Sequence, residues 1–334
     1  MKGKSNLIRV VIGTGFGLFV AALLFFQIRV KDFSILLKAL SGTQIFLAFL
    51  FYTVTTFLRA LRWQGMLVGK KIRLFSLFCV TSIHNILNHL LPARTGEASY
   101  VILMKKTASV SSSQGIATLL LARVFDLTAM GFFFLGSLLL FWNQITVPVM
   151  KLFMITFFSL PFLLLIFLVA FSRKGAQAVH DFFLKRGFLK WKFFSWLSQG
   201  LKQLSQDLYQ IKASGKLWRY VALTFLVWGT KFYCFYIIAR NLISSQVITF
   251  WTTVLGTTFS ELASTLPIYG FAGLGTIEGG WTLGFLLLGI SRQEVILAAF
   301  CFHLLVLSFA AILGIFGFFC LRTHSKVNSN KETI

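Results

Sequence analysis

Several ionisable residues lie inside apolar stretches of this sequence, where a charged side chain is costly. On membrane-insertion scales each costs about 2.5–3.5 kcal/mol, so such residues mark functional sites by default. The candidates for binding or catalysis are Arg59, Arg62, Arg94, Glu97, Arg123, Asp126, Glu261, Glu278 and His303.

The sharpest of these candidates belong to the segment Leu91-Pro92-Ala93-Arg94-Thr95-Gly96-Glu97. A proline-interrupted turn exposes backbone N–H groups at the start of the next helix, and a helix N-terminus favours anions. The planar guanidinium fork of Arg94 matches phosphate oxygens. The segment therefore predicts a phosphate or carboxylate cradle with Arg94 as the main anion contact. Glu97 would lie in the first turn of the helix, where it either orients Arg94 or competes with it as a proton-binding group.

Two other pairs share helical faces because their members are three residues apart. Arg123 and Asp126 can neutralise each other, either within a binding site or as a structural ion pair that fixes helix packing. Arg59 and Arg62 either bind substrate or extend into the lipid head groups from the end of their span. Asn88 belongs to a polar helix face that we expect to line a hydrated cavity.

Other motifs do not favour a cofactor or a metal. The run Gly270–Gly275 lacks the strand and downstream acidic residue of a nucleotide-binding loop, so its glycines indicate close backbone approach at a broken helix. The spacing of His84, His89 and Glu97 matches no standard metal site. We predict no metal, no cofactor and no catalytic constellation.

The composition is that of a membrane protein. The 334 residues are 57% apolar with a mean hydropathy of +0.81, against about 45–50% apolar residues in soluble domains. Six runs are long enough to span a bilayer, which requires about 18–20 residues, and one of them carries Arg123 and Asp126. The other five are Leu7–Ile28, Gln44–Trp63, Leu152–Phe171, Leu217–Ala239 and Ile296–Cys320.

The net charge of +23 is concentrated between the apolar runs, as in cytoplasmic loops of membrane proteins. This distribution argues against nucleic-acid binding and predicts that both termini are cytoplasmic. The basic segment Arg173–Arg219 is also amphipathic and is expected to lie on the cytoplasmic leaflet, either as a lipid-selecting element or as an ordinary anchored loop.

Two apolar stretches are interrupted by polar residues, glycine and proline: Leu74–Met104 and Phe250–Gly289. Each has the length of two short helices around a break, and non-helical backbone at membrane depth is tolerated only where protein or water surrounds it. We predict two re-entrant hairpins, one on the cytoplasmic side and one on the outer side. The expected break or hinge residues are Pro92, Gly96, Pro267, Gly273 and Gly275.

The two breaks share a Leu-Pro, then Gly, then Glu order, which is typical of an inverted repeat with the binding site where the interrupted segments meet. The sequence thus predicts an all-α polytopic protein forming a single transmembrane domain. Its halves would be residues 1–171 and 217–334, joined by the basic segment 172–216.

These motifs resemble the lysylphosphatidylglycerol synthase transmembrane family of bacterial and archaeal membrane proteins. The resemblance rests on Arg59-x-x-Arg62-Trp63, Asn88-x-x-x-Pro92-x-Arg94-x-Gly96-Glu97, Arg123-x-x-Asp126, and Leu266-Pro267 followed by Gly273-x-Gly275-x-x-Glu278. The chain departs from the family pattern at Tyr100, where a basic residue is frequent, and at His303, where an arginine is common.

The resemblance implies lipid transport, because the related membrane domain of the bifunctional synthase is a flippase. We expect a translocase for an anionic phospholipid or a polyprenyl-linked lipid in the inner membrane. Synthase activity is not expected, since no soluble aminoacyl-transferase domain follows. The alternative is a membrane-embedded enzyme or an accessory subunit in lipid-linked glycan or phospholipid metabolism. A partner lipid-modifying enzyme or a homo-oligomer is compatible with either function.

Overall fold

The computed structural model describes residues 40–67, 69–70, 72–92, 95–142, 215–265 and 270–329, with scattered residues between 151 and 209. This part of the chain is helical and contains no strand. Its main helices are α1 (Gly42–Met66), α2 (Leu74–Leu90), α3 (Glu97–Ala108), α4 (Ser112–Leu140), α5 (Leu217–Leu242), α6 (Phe250–Ala263), α7 (Thr276–Leu286) and α8 (Arg292–Ser329).

Helices α1, α4, α5 and α8 are long and apolar enough to cross a membrane. The shortest has 25 residues, or about 37 Å at 1.5 Å per residue, which exceeds the hydrocarbon thickness of about 30 Å. They correspond to four of the six predicted spans. The other two, Leu7–Ile28 and Leu152–Phe171, fall outside or largely outside the described residues. The protein is therefore a polytopic α-helical membrane protein.

Both interrupted stretches form two short helices around a non-helical break. Helices α2 and α3 have 17 and 12 residues, and α6 and α7 have 14 and 11. Helices α3, α6 and α7 are too short to cross a bilayer alone, and α2 is at the lower limit of about 17 residues. The second break contains a 3₁₀ turn, Phe271–Gly273, that packs against α2, so the two interrupted segments meet.

The described helices follow the same order twice: long, short, short, long. The first set is α1–α4 and the second is α5–α8. Helices α1 and α5 pack against each other in opposite directions. Gln44, near the start of α1, donates to Asn241 at the end of α5 (2.7 Å). At the other end, the Tyr220 hydroxyl donates to the Gly65 carbonyl (2.8 Å).

Glycines allow backbones to touch within each interrupted segment. A Cβ at Gly96 would lie 2.4 Å from the Leu87 carbonyl oxygen, and one at Gly284 would lie 2.0 Å from the Gly256 carbonyl oxygen. Gly96 thus holds the start of α3 against the end of α2, and Gly284 holds α7 against α6. Small residues at such contacts are typical of helix packing within membranes.

Candidate functional site

A cavity of about 430 Å³ lies at the centre of the helical assembly, and side chains from all of α1–α8 line it. Asp126 is the middle residue of the 29-residue helix α4, so the cavity is far from both ends of this span. Pockets that combine apolar walls with a few placed polar groups are the usual form of a ligand site. The cavity also contains charged side chains from both sets of helices.

Asp126 is held by a network at the base of the cavity. Arg62 donates to its two carboxylate oxygens, at 2.7 and 3.2 Å, and the Trp228 indole N–H donates at 3.0 Å. Arg62 is 1% exposed, does not line the cavity and also donates to the Thr224 hydroxyl at 3.0 Å. Extension of Arg62 into the head groups is therefore excluded. Arg62 contacts both carboxylate oxygens of Asp126 and does not line the cavity, so it is placed to affect a ligand through Asp126.

Arg123 and Glu97 form an ion pair at the cavity wall. The guanidinium Nη2 of Arg123 lies 2.9 Å from Glu97 Oε1, and its Nη1 lies 3.8 Å from Asp126 Oδ2. The contact expected between Arg123 and Asp126 is present, but each residue has a closer partner on another helix. Glu97 is the first residue of α3, as predicted, and its contact with Arg123 joins the first break to α4.

Arg59 lines the cavity without a carboxylate at hydrogen-bond distance among the described residues. Its Nη1 donates to the amide oxygen of Asn85 at 3.4 Å, and its buried Nε has no hydrogen-bond partner. Asn85 in turn donates to the Thr56 hydroxyl at 3.4 Å. A guanidinium with an unused N–H and a long contact to a neutral amide can bind an anionic ligand with little loss of existing interactions.

Lys231 is a cavity residue that the sequence reasoning missed. Its ammonium nitrogen lies 2.5 Å from Glu261 Oε2, and also 4.7 Å from the centre of the Trp228 ring. It is near the middle of α5, where a charge carries the same insertion cost that identified the other candidates. That argument would have found Lys231, and it did place Glu261 among them.

A histidine–carboxylate pair joins α7 to α8 beside the cavity. Nδ1 of His303 on α8 lies 2.7 Å from Glu278 Oε1, while Glu278 Oε2 accepts a hydrogen bond from the Gly275 N–H at 2.7 Å. Glu278 is fully buried and does not line the cavity, whereas His303 does. Glu278 and His303 are 25 residues apart in the sequence, and Glu97 and Arg123 have nearly the same separation, one residue more. In both sets of helices, therefore, the glutamate after the break binds a basic residue of the next long helix.

A family model described as lysylphosphatidylglycerol synthase TM region matches residues 6–314. The chain belongs to this family. The match confirms the resemblance carried by the motifs and covers both sets of helices. No curated protein matches the sequence at a significant level.

The structure explains the spacing of the first family motif, Arg59-x-x-Arg62-Trp63. Arg59 lies at the cavity, Arg62 binds Asp126, and the Trp63 ring packs with its centre 4.1 Å from that of Tyr100. Tyr100, at one of the positions where this member departs from the family pattern, is fully buried and packs against aromatic rings instead of lining the cavity.

The remaining predicted site residues divide into three groups. Asn88 lines the cavity together with His84 and His89. Pro92, Gly96, Gly273 and Gly275 lie in the breaks, and Gly273 and Gly275 have the positive φ values of 72° and 79° that favour glycine. Arg94 and Pro267 lie outside the described residues. In the described part of the chain, no group of three His, Cys, Asp or Glu side chains is arranged to hold a metal ion.

Proposed function

We propose that this protein is a membrane translocase for lipids with an anionic head group, of the phosphodiester or lipid-linked phosphate class. The observation that carries the proposal is Arg59, a cavity-lining cation whose closest described side-chain partner is a neutral amide. A buried charge is normally paired or hydrogen-bonded. The anionic group of a lipid would supply the missing partner.

An apolar groove beside the cavity supports a lipid over a small soluble anion. This groove, of about 770 Å³, runs between α1, α2 and α8 and includes Phe49 and Phe316. The buried Phe309 ring separates it from the cavity, with ring centres 5.4 Å from Phe49 on the groove side and 5.9 Å from Tyr52 on the cavity side. A lipid could place its head group in the cavity and an acyl chain in the groove.

The repeated helix order supports alternating access. Two sets of long, short, short and long helices, with antiparallel first members, fit an inverted repeat in which the interrupted segments are re-entrant hairpins. The equivalent contacts Glu97–Arg123 and Glu278–His303 join each hairpin to the following span. Rocking of one repeat against the other would expose the cavity to each leaflet in turn, with both termini on the cytoplasmic side of the inner membrane.

The test is reconstitution of the purified chain in liposomes that contain a fluorescent phosphatidylglycerol in one leaflet. We expect the label to reach the other leaflet in a protein-dependent manner, with no new lipid species on extraction. Arg59→Gln should abolish this movement. The matched control is Arg240→Gln, because Arg240 lies on the exposed end of α5 and, among the described residues, contacts only the Tyr236 hydroxyl and ring.

One observation favours a second candidate, a membrane-embedded enzyme acting on a lipid-linked phosphate. A carboxylate that orients an imidazole, as Glu278 does for His303, is the arrangement of a general base. The liposome experiment separates the two functions, because an enzyme would yield a new lipid species in the extract whether or not the label changes leaflet.

A further inference from the structure

The outward nitrogen of His303 is placed to receive a proton or a ligand. His303 is 3% exposed, and its Nδ1 is occupied by Glu278, which is itself fixed by the Gly275 N–H. Its Nε2 is buried and has no hydrogen-bond partner among the described residues, and the residue lines the cavity. A proton on Nε2 would let His303 donate a hydrogen bond to a ligand in the cavity while Nδ1 keeps its contact with Glu278.

The described charges around the cavity cancel when His303 is neutral. The cations are Arg59, Arg62, Arg123 and Lys231, and the anions are Glu97, Asp126, Glu261 and Glu278. Protonation of His303 would leave one positive charge in excess. A phosphodiester carries one negative charge, and an uncompensated charge in a low-dielectric interior is costly. Proton and anion therefore compensate each other.

Other titratable groups face the cavity from the helices packed against α8. They are Tyr52 and Arg59 on α1, His84 and His89 on α2, and Lys231 and Cys234 on α5. Glu278 on α7 contacts His303 without lining the cavity. Nδ1 of His84 lies 3.1 Å from the Ser99 hydroxyl, whereas Nδ1 of His303 lies 2.7 Å from the Glu278 carboxylate.

We propose that His303 is a proton-binding site coupled to anion binding, so that one proton enters the cavity with each anionic head group. The inference rests on the proposed function. The proton comes from water and adds to Nε2, while Nδ1–H remains hydrogen-bonded to Glu278. The imidazolium then donates its Nε2–H to the bound anion. In a translocase that exposes this cavity to both leaflets in turn, the proton and the anion move together.

Thermodynamic linkage gives the coupling a measurable sign. Because binding of the anion takes up a proton, the affinity for the anion rises as pH falls. Where one full proton is taken up, the affinity changes by about tenfold for each pH unit. A zwitterionic lipid brings no net charge and should bind without this dependence.

Calorimetry on the purified full chain in nanodiscs tests the proposal. Short-chain phosphatidylglycerol is titrated at pH 8 in two buffers that differ in ionisation enthalpy, with short-chain phosphatidylcholine as the zwitterionic probe. We expect uptake of about one proton per bound phosphatidylglycerol and none for phosphatidylcholine. Phosphatidylglycerol binding without proton uptake by the unaltered protein would overturn the coupling and leave the translocase proposal intact. Absence of binding by either lipid would overturn both.

Three variants assign the proton to His303. His303→Gln should bind phosphatidylglycerol more weakly and without proton uptake. His303→Arg carries a permanent charge, so it should bind tightly but independently of pH. Arg240→Gln, at the exposed end of α5 and outside the cavity, should retain the wild-type proton uptake. Retained proton uptake in His303→Arg would show that another group takes up the proton, and it would overturn the assignment to His303.

Discussion

The Arg62 guanidinium donates to both carboxylate oxygens of Asp126, although the two residues are 64 positions apart in the sequence. This contact joins the spans α1 and α4. The two side chains are only 1% and 8% exposed. Arg123, one helical turn before Asp126, reaches the same carboxylate only at 3.8 Å and binds Glu97 more closely. The central carboxylate therefore belongs mainly to the contact between α1 and α4.

We predict strong energetic coupling between Arg62 and Asp126. Arg62→Met or Asp126→Leu alone leaves a buried unpaired charge, so each should lower the stability of the protein by about 3–5 kcal/mol. The double variant should cost much less than the sum of the two, because neither charge remains. Chemical unfolding in detergent micelles would measure all three. A parallel cycle of Arg123→Met with Asp126→Leu should give a smaller coupling, and additive losses for Arg62 and Asp126 would contradict the predicted network.

Arg59 should behave in the opposite way, affecting ligand binding more than stability. Arg59→Gln removes a charge that has no described carboxylate partner, so the unfolding midpoint should change little. A hydrogen bond to a charged group contributes about 1.5–3 kcal/mol, so loss of this contact should weaken phosphatidylglycerol binding roughly tenfold to a hundredfold. Arg59→Lys should recover part of the affinity, since lysine restores the positive charge but not the planar guanidinium group that can donate two hydrogen bonds to one anion. Wild-type affinity in Arg59→Gln would remove this residue from the site.

Arg94 stays a prediction of the sequence. Its place between Pro92 and Gly96, at the break beside the cavity residues Asn88 and Glu97, still favours an anion contact. Arg94→Ala should lose translocation while the protein accumulates normally in the membrane, and Arg94→Lys should keep part of the activity. Wild-type translocation by Arg94→Ala at normal abundance would exclude Arg94 from the site.

The sequence predicted local features of this molecule better than its contacts. The break before Glu97 followed from proline and glycine, which disrupt helices wherever they occur, and the described spans followed from long apolar runs. The pairing of Arg62 with Asp126 could not be predicted, because it depends on how two distant helices rotate and pack. Lys231 could have been predicted, because it lies inside the apolar run Leu217–Ala239 and the insertion cost of an intramembrane charge applies to it equally.

The orientation of α5 provides a direct test of topology. The exposed Lys216 and Gln246 flank this helix at its two ends. Because the basic residues before α5 should be cytoplasmic, Gln246→Cys should react with an impermeant maleimide in intact cells and Lys216→Cys only after permeabilisation. The native cysteines are first replaced by serine or alanine. Lys190→Cys and Lys331→Cys should also stay unlabelled in intact cells. Labelling of any of the three lysine positions in intact cells would show that the topology is the opposite of the predicted one.

Gly96 should be essential for a geometric reason. A Cβ there would lie 2.4 Å from the Leu87 carbonyl oxygen and 2.5 Å from the Asn88 Cα. Both are backbone atoms, so no side-chain rotation can relieve the clash, and α3 must move away from α2. Overpacking of this kind costs about 1–3 kcal/mol or more. The displacement would also separate Asn88 from Glu97, two residues that line the cavity.

We therefore expect Gly96→Ala to lower the unfolding midpoint and to reduce lipid translocation in liposomes. Two glycines serve as controls on the same measurements. At Gly115 a Cβ would make only an ordinary 3.5 Å contact with Val101, and at Gly42 it would meet nothing within 4 Å. Both alanine variants should be tolerated, with a slight gain in stability at exposed Gly42, since alanine is the better helix former. If Gly96→Ala were as stable and active as these controls, the close approach of α2 and α3 would not exist, and the break would not hold Asn88 and Glu97 together at the cavity.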